Sequence, residues 1–297
     1  MIEKFLEYLT HEKRFSDHTI LSYSNDLKQF FDFIQETEMV VEDQVVNHLH
    51  IRSWVVFLLD SDVSSRSVNR KLSSLKSYFK FLRSRGWMTS NPMLKVVAPK
   101  VGKRLPNYVS EFSMDLMQQE LVFNTDFSGI RDQCIVELFY GTGIRQSELI
   151  NLHLSDVDHS AKVIKVLGKG KKERIVPLMP ELYKLICKYI EMRNSSSPAS
   201  NLKTDLFLTD KSESLYPKLV YNIVKRHLSK VTTIEQRSPH VLRHTFATHL
   251  SNNGADIKAV KELLGHASLA ATQVYTHNSI ERLRVVYEQA FPRTDEV

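Results

Sequence analysis

The run SPHVLRHTFATHL, residues 238–250, puts His240, Arg243 and His244 into the first turns of a helix. A purely structural helix has little use for two imidazoles and a guanidinium so close together. Pro239 suits a first helical turn, and the free N–H groups and dipole at such an end favour anions. His240 and Arg243 lie three apart and therefore on neighbouring surface, so they are read as facing something negative. His244 is read as a buried, hydrogen-bonded histidine on the packing face of TFATHL. Metal binding finds no support here. His249 lies about 140° round the helix from His244 at roughly 100° per residue, and His240 with His244 lacks the glutamate of an H-E-x-x-H site.

Other reactive side chains are scattered. Arg145 follows the glycines of GTGIRQSEL at the start of a helix, where a guanidinium fork fits two phosphate oxygens. Lys169 sits between Gly168 and Gly170 at the tip of a hairpin, and LLGHASLAATQVYTH supplies His266 and Tyr275. Taken singly these are weak signals. Turn lysines mostly face solvent, and a tyrosine ending an amphipathic helix mostly packs.

The elements that must position these residues begin with charge. The chain has 297 residues and a net charge of +6. Residues 1–62 hold 12 acidic and 5 basic side chains, whereas residues 63–110 hold 11 basic side chains and no Asp or Glu. A solvated face mixes signs, so a stretch of one sign implies a polyanion, with nucleic acid the natural partner. No apolar run reaches the roughly 18 residues that span a bilayer. Cys134 and Cys187 have no cysteine near them and are read as small buried hydrophobes in a reducing cytoplasm, without disulfide or zinc.

Residues 1–90 read as a four-helix domain: about 2–13, 16–37, 48–59 and 64–86. The fourth helix places Val68, Leu72, Leu75, Phe79 and Leu82 on one stripe and basic residues over much of the rest. Residues 91–108, with Pro92, Pro99 and Pro106 and no helical period, read as a basic extended linker. Residues 109–297 read as an α+β domain. Ile130, Cys134, Ile135, Leu138 and Phe139 give one helix, KVIKVL-GKGKK-ERIVPL (162–178) a β-hairpin, and Pro180 opens another helix. Short helices follow at about 217–230, 240–252, 256–264, 268–275 and 279–290.

Arg145 in GTGIRQSE, Lys169 in GKGKKERIVPL, His240 and Arg243 in HVLRH, His266 in LLGH and Tyr275 in YTH, in this order, resemble the tyrosine recombinases, also called phage integrases, and their Xer branch. HTILSYSNDLKQFFDF is similar to the family's core-binding domain, and NSIERLRVVYEQAFPR to an Xer tail. The resemblance covers nearly the whole chain. It implies a mainly α fold with a small β-sheet, made of a helical, SAM-like core-binding domain and a catalytic domain.

It also implies roles. Arg145 and Arg243 would clamp the phosphate, Tyr275 would be the nucleophile of a 3′-phosphotyrosine, and Lys169 would protonate the leaving 5′-oxygen. His240 would assist proton transfer and His266 would bond the phosphate, while Glu148 would support the pocket. Lys169 is preferred as the acid because the family's lysine follows the first glycine of the turn, with Lys171 and Lys172 assigned to backbone phosphates. Arg66, Arg70, Lys71, Lys76 and Lys80 would face DNA. No metal, ATP or other cofactor is implied. The partners implied are a double-stranded site, a homo- or hetero-tetramer with itself or a paralogue, and a DNA translocase, in the cytoplasm and without a membrane. The segment with Ile280, Leu283, Val286 and Tyr287 would dock into a neighbouring protomer. An integrase or transposase of a mobile element, a type IB topoisomerase and a non-catalytic DNA-binding regulator are the alternative readings.

Overall fold

A computed structural model describes residues 1–38, 46–102, 108–118, 123–168, 172–196, 203–265, 284–287 and 289–291. The chain divides into two units, Met1–Arg104 and Leu105–Val297.

In the first unit, apolar residues at helical spacing build α1 (Ile2–Glu7), α2 (Asp17–Glu38), α3 (His48–Asp60) and α4 (Ser65–Ser84), with a π-turn over Tyr8–Glu12 prolonging α1. Asn47 caps α3 by accepting the Leu49 N–H at 2.8 Å, and Ser64 caps α4 by accepting the Ser67 N–H at 3.3 Å. The whole stripe expected on α4 is buried, and it joins Phe5, Leu27, Phe30, Ile34 and Trp54 in one core. Beyond α4, residues 96–102 form no regular element, although the Pro99 carbonyl accepts a bond from Asn69 Nδ2 at 3.0 Å.

The basic segment meets its counter-charges from other helices. Asp26, on the inner face of α2, accepts both Arg70 Nη1 and Nη2 (2.5 and 2.8 Å), Lys71 Nζ (3.1 Å) and Ser74 Oγ (2.7 Å). Lys71 is only 8% exposed and also bonds Gln29. Its charge is spent inside the bundle, which corrects the expectation that it faces DNA. Arg66, Arg70, Lys76 and Lys80 are exposed.

The second unit is arranged around α6 (Phe127–Thr142), which is buried from Gly129 to Thr142 except at Gln133. It packs against α8 (Pro180–Ser196), α9 (Pro217–Val231) and α10 (Pro239–Asn252). Two short helices, α5 (Glu111–Gln118) and α7 (Gln146–Ile150), precede a three-stranded antiparallel sheet. The expected hairpin is β2 (Val163–Leu167) and β3 (Glu173–Pro177), paired so that Val163 faces Pro177 and Leu167 faces Glu173. A two-residue strand, β1 (Val157–Asp158), adds to its edge and is too short to show a period in the sequence. After α10 comes α11 (Ile257–Leu263). The helix expected at 268–275, and residues 279–283 of the last one, lie outside the described residues.

Residues 284–287, 289 and 290 are helical, and they pack on their own unit. Tyr287 is buried, donates its hydroxyl to the Gly141 carbonyl and stacks obliquely on Phe291, 4.9 Å between centroids. Phe291 in turn meets Tyr140 at 5.0 Å. Docking of Tyr287 into another protomer is therefore corrected: its side chain already lies in the core of its own unit, against which Val286 packs half-buried. Cys134 is buried as expected, whereas Cys187 is half-buried. Among the described residues no helix is long and apolar enough to cross a membrane.

Candidate active site

Gly143 ends α6 with φ +58°, a conformation costly for a side-chain-bearing residue. A Cβ there would also stand 2.6 Å from Phe246 Cδ1 and 2.7 Å from Leu264 Cδ2, so α10 and the end of α11 press against this backbone. The turn delivers Arg145 as the N-cap of α7. The Glu148 carboxylate reaches back to accept the Arg145 N–H at 2.8 Å and its Nη1 at 2.6 Å. Arg145 Nη2 donates to the Gly265 carbonyl at 3.3 Å.

Arg243 comes from the first turns of α10 and is only 7% exposed. Its Nη1 donates to the Gly143 carbonyl and its Nη2 to the Leu264 carbonyl at 2.6 Å. The two arginines expected to form a clamp thus bind consecutive carbonyls, Leu264 and Gly265. A third guanidinium completes the cluster. Arg174 on β3 is 4% exposed and donates Nη2 to Glu148 Oε2 at 2.8 Å and Nε to the Leu263 carbonyl at 3.0 Å.

Two of these three guanidiniums, Arg145 and Arg174, therefore bond one carboxylate. Burial lowers the Arg243 pKa, and the positive charges of Arg145 and Arg174 lower it further against the pull of Glu148, to about 10. A cationic pocket whose own charges repel one another is prepared for an anion. Burial pushes Glu148 up, but its bonds to Arg174 and Arg145 outweigh that and hold it below its ordinary 4.5. A carboxylate depressed by folding contributes stability that is present above its unfolded pKa and is lost as pH falls through the folded one. Glu148→Gln should therefore unfold at a lower temperature than wild type near neutrality, with the gap closing as pH drops below 4.5. Thermal unfolding followed by circular dichroism across that range checks this; a gap independent of pH would contradict it.

Of the other expected site residues, His240 is exposed on the first turn of α10, and Lys172 is exposed just before β3. The Gly168 N–H donates to the Lys172 carbonyl at 2.7 Å, just beyond the ends of β2 and β3. Lys169, Lys171, His266 and Tyr275 lie outside the described residues. His244 is corrected: it is exposed, and the buried histidine of this helix is His249, whose Nδ1 lies 3.0 Å from the Tyr140 hydroxyl. The residue that sequence reasoning missed is Arg174. Its signal was the two-residue period of β3, which places position 174 on the same inward face as Val176. Among the described residues no group of three His, Cys, Asp or Glu side chains could hold a metal ion.

Comparison with known proteins matches residues 114–282 to the Phage integrase family and residues 2–86 to the Phage integrase, N-terminal SAM-like domain. Tyrosine recombinase XerC of Chlorobaculum parvum is 37% identical, with 98% of this chain and 94% of that protein covered. Tyrosine recombinase XerC of Anoxybacillus flavithermus is 39% identical, with 97% and 96% covered. Among solved structures, XerH site-specific recombinase bound to difH substrate shares the fold, with a TM-score of 0.70 at 21% identity, covering 96% of this chain and 82% of that one.

Proposed function

The chain belongs to the phage integrase family, the tyrosine recombinases, and from that premise we propose that it cuts and rejoins a double-stranded DNA site through a 3′-phosphotyrosine at Tyr275. The observation that carries this reading is the convergence of Arg145 and Arg243 on the carbonyls of Leu264 and Gly265, immediately before His266. A phosphodiester resists nucleophiles because its own charge repels them. Two fixed guanidiniums neutralise its non-bridging oxygens as charge builds in the transition state. The Tyr275 oxygen then bonds to phosphorus while the bond to the 5′-oxygen breaks. His240 takes up the tyrosine proton, Lys169 supplies one to the leaving 5′-oxygen, which departs as the hydroxyl, and His266 bonds the phosphate. One phosphodiester replaces another, so religation requires neither ATP nor a metal.

A nicked duplex that loses its short 5′-hydroxyl fragment after cleavage tests the chemistry. Wild type should accumulate a covalent adduct and Tyr275→Phe none. An adduct with Tyr275→Phe, or none with wild type, would contradict the proposal.

In the same reading the exposed Arg66, Arg70, Lys76 and Lys80 meet DNA phosphates, with Lys171 and Lys172 doing so at the hairpin, and four protomers exchange strands pairwise through a Holliday junction. Lys76→Ala should weaken binding alike on all sequences and reduce the slope of log K against log salt by about 1. An unchanged slope would place the DNA elsewhere. The biological role that fits the XerC relatives is resolution of chromosome dimers in the cytoplasm before division, with a paralogue and a DNA translocase as partners. Mapping bound DNA in cells decides this: a single site near the replication terminus supports it, and scattered element ends make the protein a mobile-element integrase.

A further inference from the structure

Arg174, like Arg145 and Arg243, donates two side-chain hydrogen bonds within the pocket, although no chemical role is assigned to it. Through Nη2 it fixes the Glu148 carboxylate, whose other oxygen and N-cap bond hold Arg145 in place. Through Nε it fixes the Leu263 carbonyl, one residue before the carbonyl that Arg243 binds. Its stem lies against the next turn as well. Gly265 has φ +63°, and a Cβ there would stand 3.1 Å from Arg174 Cδ and 3.3 Å from its Nε and Nη1. On the hairpin side, a Cβ on Gly168 would lie 3.5 Å from Glu148 Oε1 and 3.7 Å from Arg174 Nη1. One buried guanidinium therefore stands between the two chain segments that lead to Lys169 and to His266, and it braces the residue that orients Arg145.

We infer that Arg174 is a positioning residue for strand cleavage, acting through Glu148 on Arg145 and through the Leu263 carbonyl on the turn that precedes His266. The inference rests on the strand-exchange reading above. Arg174 does not itself touch the reacting phosphate; its guanidinium is engaged by Glu148 and the Leu263 carbonyl. Its planar fork makes two bonds in fixed, divergent directions, which an ammonium of the same charge cannot reproduce. Arg174→Lys should therefore keep the charge of the pocket and lose its geometry, and displacements of about 1 Å cost roughly 100-fold in rate.

The test uses the full chain and a nicked duplex bearing the sequence that wild type selects from a random library. The duplex Kd and the single-turnover rate of adduct formation are measured for wild type, Arg174→Lys, Glu148→Gln and the double variant. The expected result is a rate lowered about 100-fold by Arg174→Lys with Kd changed less than about threefold. In the Glu148→Gln background the same change should add only a few-fold, because the two residues act along one chain of contacts. A wild-type rate for Arg174→Lys, or two losses that simply multiply, overturns the inference while leaving the recombinase reading intact. If Arg174→Lys loses rate and binding together through misfolding, Glu148→Gln decides alone: slow cleavage with intact binding supports the inference, and a wild-type rate overturns it. Absence of any wild-type adduct overturns the recombinase reading and this inference with it.

Discussion

Replacing Arg243 with alanine should leave site DNA bound and lower the rate of strand cleavage by about 10³-fold, with Arg145→Ala close behind. Removing one well-placed donor to a developing anion costs roughly 10²–10³ in rate, and each of these side chains brings a full charge as well. Arg243 has the larger expected effect because it is the more deeply buried, and because its charge is maintained beside Arg145 and Arg174 at a cost that only an anion relieves. Binding survives because affinity for DNA is spread over many phosphate contacts. Single-turnover cleavage at saturating protein, beside fluorescence anisotropy for Kd, separates the two quantities. Lost binding with an undiminished rate of cleavage in the bound fraction would make these arginines docking residues.

The second large effect is on stability. Asp26→Ala should destabilise the helical unit by about 3–5 kcal/mol, the range found when one partner of a buried ion pair is removed. Asp26 is 1% exposed and is the common acceptor for Arg70, Lys71 and Ser74. Arg70 can turn to water once freed, but Lys71 is packed near the Trp54 ring, 6.0 Å from Nζ to centroid. It would be left with a buried charge and one amide partner. The only two tryptophans, Trp54 and Trp87, both belong to this unit. Urea unfolding followed by tryptophan fluorescence therefore reports on it alone. A midpoint within experimental scatter of wild type would contradict the account of the Asp26 cluster.

The same cluster shows where sequence patterning reads the fold and where it stops. The stripe Val68, Leu72, Leu75, Phe79 and Leu82 is legible because α4 buries one face only, and a one-sided helix writes its period into the sequence. Asp26 lies within the apolar face of α2, three residues after Tyr23 and four before Phe30, but one acid among hydrophobes carries no sign of the partners it will meet. Those partners come from α4, 44 to 48 positions away. That distance also explains why the carboxylate-free stretch overstated its free positive charge: compensation arrives through tertiary contact.

In the catalytic unit, Arg145 and Arg243 stood out because glycines and a helix start mark their places. Arg174 did not, since an inward arginine on a short strand looks like one more basic residue in a basic hairpin. The misreading of His244 has a simpler cause. It and His249 differ by five positions, and the buried face of α10 includes Leu242, Phe246 and His249 but not position 244. The tail segment resembles an Xer tail, from which no packing partner can be read, while Tyr287 and Phe291 find theirs within their own unit in Tyr140, Phe246 and Gly141.

All of the chemistry depends on Arg145, Arg243 and Tyr275 meeting at one phosphorus atom. A crystal structure of Tyr275→Phe bound to its selected duplex measures that directly. Both guanidiniums should lie within hydrogen-bond reach of the non-bridging oxygens of a single phosphate, with the ring at position 275, from the same subunit or an adjoining one, facing that phosphorus. A duplex whose phosphates lie away from the Leu264–Gly265 turn, or a residue 275 that points elsewhere in every subunit, would contradict it.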